Sequence, residues 1–147
     1  MGQQDRDRFA AARVARLATV GADGAPHLVP IVFVVRGDVV WSAVDHKPKS
    51  TRALRRLANI EAQPAVSLLV DHYDDDWTKL WWVRADGDAT VVQVGADGPD
   101  DTGAVLDALV AKYPQYATDR PGGPLVRVDV RHWSSWEHSR RAPGRRG

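Results

Sequence analysis

The sequence has 147 residues, 44% of them hydrophobic, with 20 basic and 19 acidic side chains and a formal net charge of +1. That length builds one domain with a core of its own and not two, and the near-neutral balance gives no global drive toward nucleic acid or an anionic membrane. Cysteine is absent, which excludes disulfides, thiolate metal sites and thiol nucleophiles.

Met1 to Arg13 is polar, without an apolar run of signal-peptide length, and no segment approaches the roughly 20 apolar residues of a membrane span. A soluble, cytoplasmic protein is expected. Gln4 to Arg13 sets Phe9 and Ala10 to Ala12 among charges, the pattern of a short amphipathic helix. Val14, Leu17 and Val20 lead to the turn signal Asp23-Gly24, and His27 to Val35 follows as an almost continuous apolar, β-branched run. This predicts a hairpin whose second strand is buried. After Arg36-Gly37-Asp38, Val39 to Val44 makes a third strand, and the turns are too short for the helical crossovers of a parallel sheet. Leu54, Leu57 and Ala58 predict a helix over Ser50 to Ile60, with Ser50 or Thr51 as N-cap and Pro64 beyond its end.

Ala65 to Val70 is strand-like, Asp71 to Asp76 is an acidic loop, and Leu80 to Val94 reads as one long strand or two broken at Asp86-Gly87. Thr102 to Tyr113 predicts a helix with Val105, Leu106, Leu109 and Val110 on one face, stopped by Pro114. A final strand runs from Leu125 through Val130 into His132-Trp133 and Trp136. The tail from Arg140 has nothing to bury and is expected to be disordered, leaving residues 1–139 as one domain. The sum is a barrel-like α+β domain of about six antiparallel strands with two or three flanking helices. Such a barrel is filled by its own side chains, so a sizeable ligand sits on its outside or between subunits.

The sequence lacks a dinucleotide-binding G-x-G-x-x-G, a P-loop, a hydrolase elbow and a zincin motif. Its five histidines show no metal-ligand spacing, so no metal is expected, and no catalytic residue stands out. Two features do stand out. Of 20 basic residues only four are lysines, and two of them, Lys47 and Lys49, precede a helix start whose unpaired N–H groups and positive dipole end favour an anion. With the hydroxyls of Ser50 and Thr51 these parts hold a phosphate. A solvated basic loop leading into Arg52, Arg55 and Arg56 is the plainer alternative, and the scarcity of lysine favours the site. The second feature is six tryptophans. Trp81 and Trp82 are neighbours in a strand and point to opposite faces, so one of them faces a partner subunit, a ligand or solvent. Trp77, at the end of the acidic loop, is the least core-like and the expected ligand contact.

Taken in order, Phe9 with Ala18-Thr19-Val20, then Asp23 to Phe33, Lys47-Pro48-Lys49-Ser50, Leu57 to Ile60 with Pro64, and Leu80 to Arg84 before Gly87 resemble the pyridoxamine 5′-phosphate oxidase-like split-barrel superfamily. Within it they are similar to the F420-dependent enzymes of the deazaflavin/flavin oxidoreductase group. The likeness spans about residues 5 to 138. It implies a homodimer with two cofactor sites at its interface, in which Pro30, Ile31, Val32 and Phe33 lie along the tricyclic ring, largely through their backbone. It further implies that Lys47, Lys49, Ser50 and Thr51 grip the phosphate and that the other subunit completes the pocket. Apolar Ile31, Val32 and Phe33, with cations gathered at the loop and at Arg52, Arg55 and Arg56, suit the long anionic tail of coenzyme F420, with FMN as the alternative. The expected activity is hydride transfer between F420 and a small organic substrate. An FMN-dependent oxidoreductase, a non-catalytic cofactor-binding protein and a plain dimerisation module are the competing readings.

Overall fold

The computed structural model describes residues 2–44, 51–95, 98 and 100–138, with the side chains of 51–53 outside that description. The predicted tail from Arg140 and the loop residues Lys47, Lys49 and Ser50 lie outside the described residues.

The elements are α1 (Gln3–Ala11), β1 (Ala15–Val20), β2 (Pro26–Ile31), β3 (Val34–Arg36), β4 (Val39–Ala43), α2 (Thr51–Ala62), β5 (Ala65–His72), β6 (Trp81–Val92), α3 (Thr102–Lys112) and β7 (Leu125–Glu137). The described strands form one antiparallel sheet in the order β2-β1-β5-β6-β7-β4-β3. It has seven strands where six were expected, and β2 and β3 stand at its two edges, so the ladder does not close. No helix among the described residues is long and apolar enough to cross a membrane.

The extra strand comes from the apolar run His27 to Val35, which is not one buried strand. It breaks at Val32-Phe33, where β2 leaves β1 and β3 joins β4. Apolar continuity alone cannot reveal such a break, but Pro26 and Pro30 can: each lacks the N–H that an interior strand needs, so β2 sits at an edge. Its burial alternates accordingly, with Leu28 67% exposed and Ile31 in the core. The Asp86-Gly87 signal proves to be a bulge within one long strand. The β6–β7 register shifts there, from Asp86 opposite His132 to Gly87 opposite Val130.

Period two sorts each strand. Leu17, Leu68, Val83 and Ala85 point inward with Ile31 and Phe33, while their neighbours face outward. Helix α1 plugs one end by inserting Phe9 between Phe33, 5.1 Å away and tilted, and Trp133, 5.2 Å away and edge-on. Helix α2 places Ile60 in the same core and hydrogen-bonds Asn59 Nδ2 to Thr19 Oγ1 at 3.1 Å. A second apolar cluster, built by Val105, Leu106 and Leu109 of α3 with Trp41, Tyr113 and Leu125, secures β3, β4 and the start of β7.

Candidate functional site

Because β1, β2, β5 and β6 are in register, their outward side chains form rows across the sheet. Leu28, Ala18, Ser67 and Asp86 make one row, and Pro30, Arg16, Leu69 and Arg84 the next. Asp71, Trp82 and Trp136 make a third. Arg16, Ala18, Leu28, Ser67, Leu69, Asp71, Trp82 and Arg84 line an open depression of about 510 Å³, within the usual size of small-molecule sites. Its floor is apolar, and its charges are held. Arg84 Nε donates to Asp86 Oδ1 and Oδ2 at 3.1 and 3.2 Å, and its guanidinium lies 5.9 Å from the Trp82 ring centroid. Ser67 Oγ donates to the same Asp86 carboxylate. Arg16 stands 3.8 Å from Asp71, at the long end of an ion pair.

The sequence-predicted residues are distributed around this face unevenly. Pro30 is exposed on it, in line with Arg16. Ile31 and Phe33 are in the core, and Val32 packs on the second cluster, so these three have main chain and not side chain to offer a ring. Thr51 opens α2, while Lys47, Lys49 and Ser50 lie outside the described residues. Trp77 is 64% exposed beyond the His72–Trp81 pair that ends the β5–β6 ladder, and its Nε1 donates to Tyr73 Oη at 3.2 Å. Asp76 caps the short turn there; its bonds from the Thr78 hydroxyl and N–H lower its pKa. Trp81 and Trp82 do point to opposite sides: Trp81 packs on the core and under Arg8, 5.0 Å from its ring, and Trp82 lines the depression.

Trp82 is the member of the Trp81-Trp82 pair that faces the site, whereas Arg16, Leu69 and Arg84 do not stand out in the sequence as site residues. The signal was available in period two, since the alternate positions of β1, β5 and β6 carry a mixed apolar and charged set that no core accepts.

The sequence pattern of the pyridoxamine 5′-phosphate oxidase family matches residues 1–137. The chain belongs to that family. No curated protein matches the sequence. Among solved structures, a conserved hypothetical protein of Mycobacterium tuberculosis, Rv2991, superposes with a TM-score of 0.75 at 24% identity, over 100% of this chain and 91% of that one. An F420 reductase superposes at 0.66 with 23% identity over 91% of this chain and 98% of its own. HutZ, a heme storage protein of Vibrio cholerae, gives 0.65 with 16% identity over 92% and 93%. At these identities the likeness establishes the shared pyridoxamine 5′-phosphate oxidase fold.

Proposed function

We propose that this protein binds coenzyme F420 along the outer face of β1, β2, β5 and β6 and reduces a small organic substrate. The observation that carries the reading is the edge strand β2 beside an apolar depression. An edge strand keeps main-chain groups unpaired, with Pro26 and Pro30 contributing carbonyls only, and the pyrimidinedione edge of a deazaflavin or flavin ring carries an N–H that such carbonyls accept. Ala18, Leu28, Leu69 and Trp82 offer the apolar and aromatic surface on which such a ring rests. Arg84, fixed by Asp86 and by Ser134 Oγ at 3.4 Å, presents a preorganised cation at the rim.

Lys47, Lys49, Ser50 and the start of α2 at Thr51 are proposed to hold the phosphate, with Arg52, Arg55 and Arg56 toward the anionic tail. F420, when bound, supplies a hydride from a ring carbon. The chain's own part is to orient the ring, hold the phosphate and exclude water.

The proposal includes a homodimer. The depression is open, and Trp82 and Trp136 are outward aromatics that a second copy covers. Trp77 lies beyond the far end of β5 from α2: α2 ends where β5 begins, and the eight residues of β5 span about 26 Å. Trp77 is therefore proposed to serve the site of the second copy and not that of its own chain. Family membership and the fold shared with an F420 reductase support the cofactor class. The test is equilibrium fluorescence titration with F420 and FMN side by side. F420 is expected to bind more tightly, and tighter FMN binding transfers the assignment to an FMN-dependent oxidoreductase.

A further inference from the structure

Between β2 and β3 the chain passes from one edge of the sheet to the other, and side chains hold its main-chain groups there. The Val32 carbonyl accepts from Ser42 Oγ at 2.9 Å. The Phe33 N–H donates to Tyr113 Oη at 3.1 Å. The Phe33 carbonyl lies 2.9 Å from Lys112 Nζ and 3.0 Å from Tyr113 Oη. Lys112 Nζ also donates to the Ala10 carbonyl at 2.9 Å and stands 3.8 Å from the Phe33 ring centroid, while Tyr113 Oη is 3.0 Å from the Arg13 carbonyl.

An ammonium has three protons and serves both of its carbonyls at once. A hydroxyl has one, so Tyr113 donates to Phe33 or to Arg13 while accepting from the Phe33 N–H. Two consecutive side chains at the end of α3 therefore tie together the end of α1, the approach to β1 and the β2–β3 break. Holding a lysine here has a cost. Burial, helped by the charge of Arg13, lowers its pKa to about 8. A long apolar side chain fills the same space without that cost; what the ammonium adds is its bonds to two main-chain carbonyls.

We propose that Lys112 and Tyr113 are positioning residues for the outer-face site, fixing the main-chain course of Pro30 to Phe33 so that the free edge of β2 stays aligned with Arg16 and Leu69. The proposal rests on reading that face as the ring site. Among the described residues the edge strand has a ladder partner only in β1, so the break at its end is the second anchor that sets where its free edge lies.

The experiment measures amide hydrogen exchange in the cofactor-free protein and titrates F420 and FMN into the same samples, for the parent, Tyr113→Phe, Lys112→Met and Lys112→Arg. Tyr113→Phe removes a single oxygen, which keeps the test decisive even if Lys112→Met folds poorly. In Tyr113→Phe and Lys112→Met, exchange at Val32, Phe33 and Val34 is expected to quicken roughly tenfold or more while Val83 and Val128 keep parent rates, since local opening is separable from global unfolding. The dissociation constant of the tighter ligand is expected to rise about fivefold or more in both, and to stay within about twofold of the parent in Lys112→Arg. Parent-like exchange at 32–34, or equal acceleration across the sheet, overturns the positioning role, as does faster exchange with unchanged affinity. If the parent binds neither ligand, the cofactor reading fails by itself, and the exchange data still decide whether these two side chains fix the break.

Discussion

Gly87 stands in β6 at the bulge, where the strand meets β7. A Cβ added there lies 2.2 Å from the Asp129 carbonyl oxygen, 2.9 Å from its carbon and 3.0 Å from Val130 Cα. Normal contact needs about 3.5 Å, so the overlap is about 1 Å, and it is with main chain, which cannot swing aside as a side-chain tip does. Relief requires parting β6 from β7, the longest ladder in the sheet, or straightening the bulge and shifting its register. Overpacking of this kind costs about 1 to 3 kcal/mol where side chains give way, and more where the main chain moves. For Gly87→Ala we expect a loss of at least about 3 kcal/mol, which lowers Tm by roughly 6 to 12 °C in a domain of this size. Guanidinium unfolding followed by tryptophan fluorescence, with calorimetry for Tm, measures both. A loss below about 1 kcal/mol with an unchanged denaturant slope refutes the argument that backbone proximity dictates glycine here.

Asn59→Ala is expected to cost about 1 to 3 kcal/mol in the same unfolding assay, because it strands the buried Thr19 hydroxyl. Lys112 has a folded pKa near 8, below the ordinary 10.5, so the native chain binds fewer protons than the unfolded chain between those values and stability rises with pH through that window. Unfolding free energies from pH 7.5 to 9.5, below the range where Tyr113, its pKa raised by burial, adds the opposite trend, are expected to climb in the parent and to show less climb in Lys112→Met; equal slopes contradict the assignment. Trp82→Ala is expected to weaken self-association by about 1 to 3 kcal/mol in sedimentation velocity, as an interface anchor does, and an unchanged association constant removes Trp82 from the interface.

Much of the fold was legible because each segment states its own period. The spacing of Val105, Leu106 and Leu109 specifies α3 to within a residue, and Asp86-Gly87 marks an irregularity in β6 while leaving open whether the segment is one strand or two. In His27 to Val35 the two prolines signal an edge strand, but the position of the break does not show in the segment itself, because the groups that hold it, Tyr113 and Lys112, lie about 80 residues away, where their hydrogen bonds replace the ladder at Phe33. The same distance hid the outer face. Arg16, Leu69 and Arg84 look like ordinary alternating strand residues until the β1–β5–β6 register sets them side by side. The lysine pair was conspicuous for the opposite reason: its residues are neighbours in sequence, and a chain that otherwise uses arginine singles them out.

On the reading proposed here an anionic ring cofactor is held with its phosphate at the start of α2. The most direct measurement is the dissociation constant of F420 for the parent, Lys49→Ala and Lys47→Ala, titrated at equilibrium by fluorescence at fixed ionic strength. A charge-assisted hydrogen bond lost to phosphate costs about 1.5 to 3 kcal/mol, so Lys49→Ala is expected to bind at least about tenfold more weakly with its unfolding free energy within about 0.5 kcal/mol of the parent. Parent-like binding in both variants, with both folded, contradicts this reading.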